Sequence, residues 1–168
     1  MSKRMIVLWT GWALVLLLTA SDVAWHYPRL PERLATHFNA AGAPDGWASR
    51  GSFLTVWIVT LCVMGALFPG LRLLVRILPA RFVNVPRRDY WFAPGRDVYT
   101  RAAIGELILW LGLLMLATMS GLNHLTLRAN LRPAPDLGFW PWMVVGANLV
   151  LMLTVVVGFT LRFARPPR

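Results

Sequence analysis

Four long runs without a charged side chain divide the sequence: Met5 to Ser21, Gly51 to Leu71, Leu107 to Asn123 and Leu137 to Leu161. Each is near or beyond the roughly 17 to 25 residues a helix needs to cross a bilayer's hydrocarbon core. Only a helix or a closed barrel satisfies the backbone there. The pattern predicts an all-α polytopic membrane protein, one membrane domain over residues 1–168. Its four transmembrane helices are expected near 5–25, 51–72, 102–127 and 138–162. An ordered outer loop over 26–50 and a basic inner loop over 73–100 connect them. Past the second run, Arg72 and Arg76 interleave with Leu71, Leu73, Leu74 and Ile77, which predicts a helix continuing along the inner leaflet with snorkelling arginines.

The stretch from Tyr27 to Trp47 is the part least explained by a need for hydrophobicity. Pro28 and Pro31 fix the backbone at its start, and Pro44-Asp45-Gly46 has the composition of a tight turn. Leu34, His37 and Phe38 have the spacing of one helical face, whereas Thr36-His37-Phe38 suits a strand; a short interfacial helix and an extended segment both fit. As a ligand-binding loop it offers His37, Asn39 and Asp45 as polar contacts and Phe38 and Trp47 as apolar anchors.

Composition agrees with a bilayer: 57% of residues are hydrophobic, and the mean hydropathy is +0.57. The net charge of +10 raises nucleic acid as a partner, but the placement of the charge argues against it. With the amino terminus inside, twelve of the seventeen basic residues, from Lys3 to Arg168, fall on the inner side. Both termini are therefore expected in the cytoplasm. Arg87 and Arg88, with Trp91, form a candidate inner docking surface for a cytoplasmic regulator, or alternatively a headgroup anchor. Lys3-Arg4 and the following apolar run also resemble a secretory signal, but Trp9, Trp12 and the even number of spans favour a retained helix. Cys62 is the single cysteine, so no disulfide or cysteine zinc site forms within one chain.

Glu106 and Asn148 are polar residues set inside spans, and such an acid is either functional or bonded to an arginine, interfacial water or Thr154. Asn148 suits a bond between helices, and Ala117 with Gly121 would permit close helix packing. Asp22 and His26 share one helical face, as a solvated helix end or a functional pair. All three histidines, His26, His37 and His124, fall on the predicted outer side with Asp22, Asp45 and Asn123. Their convergence would give a zinc site and a membrane enzyme, and a proton-coupled transport component using Glu106 is another alternative. No glycine-rich phosphate loop or paired-histidine metalloprotease helix is present, and no cofactor is expected.

The order Tyr27-Pro28, Leu30-Pro31, Thr36-His37-Phe38-Asn39, Gly42 and Pro44-Asp45-Gly46-Trp47 resembles a bacterial membrane domain of unknown function. That domain is shared with the immunity protein family directed against the sporulation-delaying protein toxin. Asn84-Val85-Pro86, Asp89-Tyr90-Trp91 and Ala93-Pro94 are similar to a recurring segment of its short members. The resemblance implies a small multi-pass protein of a bacterial plasma membrane. It also implies a non-enzymatic receptor or immunity role, with a peptide toxin or a cytoplasmic regulator as partner. It transfers no catalytic residues. A homo-oligomer is compatible with four helices, which alone enclose little room for a transport path.

Overall fold

The first helix, α1 (Lys3–His26), starts where the Ser2 side chain accepts the Met5 N–H at 3.3 Å. The computed structural model describes residues 2–165; the basic tail's Arg168 lies outside the described residues. A hairpin of β1 (Arg33–Phe38) and β2 (Pro44–Ser49) follows α1, then α2 (Arg50–Ile77) and the short α3 (Arg88–Trp91). Two long helices, α4 (Asp97–Ala129) and α5 (Trp140–Ala164), complete the chain. Among the described residues, α1, α2, α4 and α5 are long and apolar enough to cross a membrane, so this is a multi-pass membrane protein. Ile6, Leu17, Ile77, Val150 and Leu153 are exposed, as residues facing lipid should be.

The 33 residues of α4 make a rod of about 50 Å, against a hydrocarbon core of about 30 Å, so its ends project beyond the apolar layer. It is also the helix that α1, α2 and α5 each pack against. Close approach depends on two glycines seven residues apart. A Cβ on Gly112 would lie 2.4 Å from Phe68 Cγ of α2 and 2.7 Å from Trp12 Cζ2 of α1. One on Gly105 would lie 2.9 Å from Arg72 Cγ. Where the helices meet, the Trp12 indole N–H donates to the Leu109 carbonyl at 3.2 Å, giving a buried donor its partner. The small pair expected to permit close packing plays a lesser part: Ala117 is exposed, and a Cβ on Gly121 would meet Val144 at an ordinary 3.4 Å.

Two buried clusters close the ends of the bundle. At the hairpin end Leu30, Leu34, Phe53 and Leu127 pack together, bordered by Val23, Tyr27 and Trp57. At the end bearing the termini, Val83, Val85, Trp91, Ala103 and Phe163 form the other. There α2 runs on through Arg72 and Arg76, and the Arg101 guanidinium donates to the Val75 and Leu78 carbonyls, each at 2.7 Å. A cation thus covers the carbonyls at the C-terminus of α2, where the helix dipole favours positive charge.

The connection between α1 and α2 is extended rather than helical. Its reversal falls at Asn39–Ala43 and not at Pro44-Asp45-Gly46. Asn39 Oδ1 accepts the Ala41 and Ala43 N–H groups, at 2.9 and 3.1 Å, and Gly42 takes the positive φ of 88°. Pro44 then begins β2. Gly46 is required for another reason: across the strands a Cβ there would lie 2.7 Å from His37 Cβ.

Substituting Gly112 with leucine should destabilise the protein by about 1–3 kcal/mol through overpacking. Thermal unfolding in detergent should show a lowered midpoint for Gly112→Leu and little change for Gly121→Ala. Equal midpoints would remove the close approach at Gly112.

Candidate functional site

The hairpin is held onto the bundle through its backbone. Asn130, buried just past α4, accepts the Ala35 N–H on Oδ1 at 2.7 Å. Its Nδ2 donates to the Ala35 carbonyl at 2.8 Å and to Thr126 O at 2.9 Å. One amide therefore satisfies both main-chain groups of a buried strand residue. This explains why Leu34 and Ala35 are both buried although neighbours on a strand point to opposite faces. Leu34 enters the hydrophobic cluster, while Ala35 lies beneath Asn130. The hairpin tip is tied down as well, by Leu137 N–H to Gly42 O at 3.0 Å and by the Trp142 indole N–H to Ala40 O at 3.1 Å.

Between that tip and the start of α5 lies a groove of about 300 Å³. Phe38, Asn39, Ala40 and Gly42 form one wall, and Leu122, Leu137, Pro141, Trp142 and Val145 the other. Phe38 is half-buried in it, whereas the Asn39 amide is spent on closing the turn. His37 and Asp45 pair with each other across the strands and are exposed. Trp47 is exposed too, with the Arg33 guanidinium 5.9 Å from its ring centre. Phe139, Trp140 and Trp142 surround the start of α5 as exposed aromatics, the composition of a membrane-interface belt.

The histidines divide between two places. Asp22 Oδ1 lies 3.1 Å from His26 Nδ1 and 2.9 Å from His124 Nδ1, so α1 and α4 share an imidazole–carboxylate–imidazole cluster. His37 belongs to the hairpin pair. Among the described residues no group of three histidine, cysteine, aspartate or glutamate side chains is arranged to hold a metal ion. Asn123, proposed beside them, is fully buried, and neither polar atom of its amide has a partner among the described residues.

Two of the groups considered as partners for Glu106 are engaged elsewhere. Arg101 is occupied by the end of α2, and Thr154 donates to Val150 O of its own helix at 2.8 Å. Glu106 instead lines a small groove of about 170 Å³ between α4 and α5, with Trp110, Phe159 and Arg162. Asn148 donates to Met152 Sδ at 3.6 Å, within α5 rather than between helices.

At the other end, Arg87 and Arg88 are exposed and Trp91 is not. The Trp91 indole N–H donates to Phe163 O at 2.8 Å, and its ring packs on Phe163 at 4.8 Å. Trp91 is therefore not available to an exposed surface with the two arginines, because the tryptophan anchors the α3 segment to α5. The sequence reading missed Asn130 and Thr100, and it placed Trp142 in an aromatic belt without its bond to the hairpin. Thr100, fully buried, donates to Trp91 O at 2.8 Å. Asn130 carried one local signal, an asparagine directly after a helix, but nothing that named Ala35 as its partner.

Asn130→Ala should leave the Ala35 N–H and carbonyl buried and unpaired, at a cost of about 1–3 kcal/mol per group. Hydrogen exchange at the Ala35 amide should quicken, with α2 and α5 amides unchanged. Unaltered protection at Ala35 would show that the hairpin is held by other contacts.

Residues 14–63, from the middle of α1 through the hairpin to the middle of α2, match a family model described as Domain of unknown function (DUF1648). No curated protein and no solved structure matches the chain.

Proposed function

We propose that this is a non-enzymatic membrane protein of receptor or immunity type, whose hairpin face takes up an amphipathic peptide. The observation that carries the reading is the apolar groove between the hairpin tip and α5, with Phe38 in one wall and Trp142 in the other. A fixed, concave, mostly apolar site suits a ligand side chain better than a loop without a fixed shape. The exposed His37–Asp45 pair and Trp47 supply polar and aromatic contacts on the same hairpin. Both belong to the stretch resembling the toxin-immunity domain, which supports a membrane-active peptide as the ligand class. Orientation follows from charge: the hairpin faces outward, and the basic end with Arg87 and Arg88 faces the cytoplasm of a bacterial cell, where a regulator would dock.

Cysteine accessibility tests the orientation. In a Cys62→Ser background, His37→Cys should react with a membrane-impermeant maleimide in intact cells, and Arg88→Cys only after lysis; the reverse pattern would overturn it. A deletion strain tests the function. It should be more sensitive to envelope-active peptides, with protection restored by the wild type and not by Phe38→Ala. Unchanged sensitivity together with unchanged membrane-stress transcription would remove the receptor and immunity reading.

A further inference from the structure

Another groove, of about 420 Å³, runs between α1 and α4 and ends at the imidazole–carboxylate–imidazole cluster. Val15, Leu18 and Ala117 make it mostly apolar along its length, interrupted by the Thr19 and Ser120 hydroxyls, which bond to each other, while Asp22 and His124 stand at its polar end. Its volume is in the range of small-molecule sites. Although the chain carries seventeen lysines and arginines, none lines this groove.

The hydrogen bonds determine what the polar end can offer. His26 Nδ1 lies 2.8 Å from the Asp22 carbonyl, which has no proton to give, so Nδ1 carries the hydrogen. His124 Nδ1 lies 2.9 Å from Asp22 Oδ1, and against a carboxylate it too must donate. Of the two rings only His124 lines the groove, and with its hydrogen on Nδ1 a neutral imidazole presents Nε2 there as a lone-pair acceptor. Asp22 Oδ2, the other carboxylate oxygen, takes no bond from the described residues. The polar end therefore presents acceptors and negative charge. Such an end disfavours an anion and leaves a neutral hydroxyl with one hydrogen for several acceptors. A protonated primary amine supplies three donors and the opposite charge.

We propose that the α1–α4 groove binds an amine-headed amphiphile, with its ammonium group on Asp22 and its alkyl chain along Val15, Leu18 and Ala117. The site is separate from the hairpin groove, so the two readings stand or fall independently. A bilayer aminophospholipid and a free alkylamine share this chemistry.

The test uses the full chain in phosphatidylcholine nanodiscs with a dodecylamine that carries a photoreactive diazirine in its tail. Crosslinks should map to residues 15–22 of α1 and 117–124 of α4. Dodecylamine should compete, whereas dodecanol and dodecanoate should not. Competition by added phosphatidylethanolamine would identify the occupant as a bilayer lipid, and competition by free amine alone as a soluble amphiphile; either upholds the site. Asp22→Asn should lower labelling about tenfold, the scale of one charge-assisted hydrogen bond. Ala117→Phe fills the apolar length while leaving the Asp22 cluster intact, and it should block labelling even if Asp22→Asn does not fold. Equal competition by the alcohol, labelling elsewhere on the chain, or full labelling of a folded Ala117→Phe protein would overturn the proposal.

Discussion

The approach of α1 and α2 to the middle of α4 is the constraint on which the rest of the structure depends. In a hydrocarbon solvent, burying apolar surface between helices gains little over leaving it in lipid, so association rests on tight packing and a few hydrogen bonds. Gly112 supplies the packing by letting Phe68 and Trp12 come to its backbone. The Trp12–Leu109 bond supplies the polar contact at the same level. With the three helices fixed there, their ends are fixed as well, and each end carries a separate small structure.

Those end structures follow the same logic of satisfying main-chain groups. At one end a lone two-stranded hairpin, marginal by itself, is stabilised because the Asn130 amide binds both polar groups of Ala35 and because Leu34 enters the cluster with Phe53 and Leu127. At the other, the carbonyls closing α2 are covered by Arg101, and the segment around α3 is tied to α5 through Trp91. Polar side chains that look functional in a sequence are often taken up in this way. Asn39 closes a turn, Arg101 caps a helix and Trp91 anchors a connection. What remains after those demands is a more selective guide to chemistry: among the grooves at the hairpin end, one is mostly apolar and one ends in a carboxylate.

The two grooves differ in the ligand each can recognise. Between the hairpin tip and α5 the walls are mainly aromatic and aliphatic, so for the proposed ligand selectivity would come from shape. Between α1 and α4 a mostly apolar length leads to Asp22 and His124, and on the proposed reading selectivity would come from charge and hydrogen-bond donors. Asp22 draws its two histidines from different helices, so the cluster also joins α1 to α4. Such a pairing makes the site and the helix interface parts of one arrangement.

The sequence by itself determined the four spans, because the runs at 5–21, 51–71, 107–123 and 137–161 are continuous and long enough to cross about 30 Å of hydrocarbon as helices, whereas barrel strands are shorter and alternate. It also placed Asp22 and His26 on one face, since four-residue spacing on a helix does so. Tertiary structure alone decided the partners. Asn130 meets Ala35 across 95 positions, and His124 meets Asp22 across 102. No local periodicity encodes such separations; they depend on which faces of the helices pack together. The same reason explains the hairpin and its displaced turn: a short segment of mixed propensity becomes a strand when a buried amide from another helix binds its backbone.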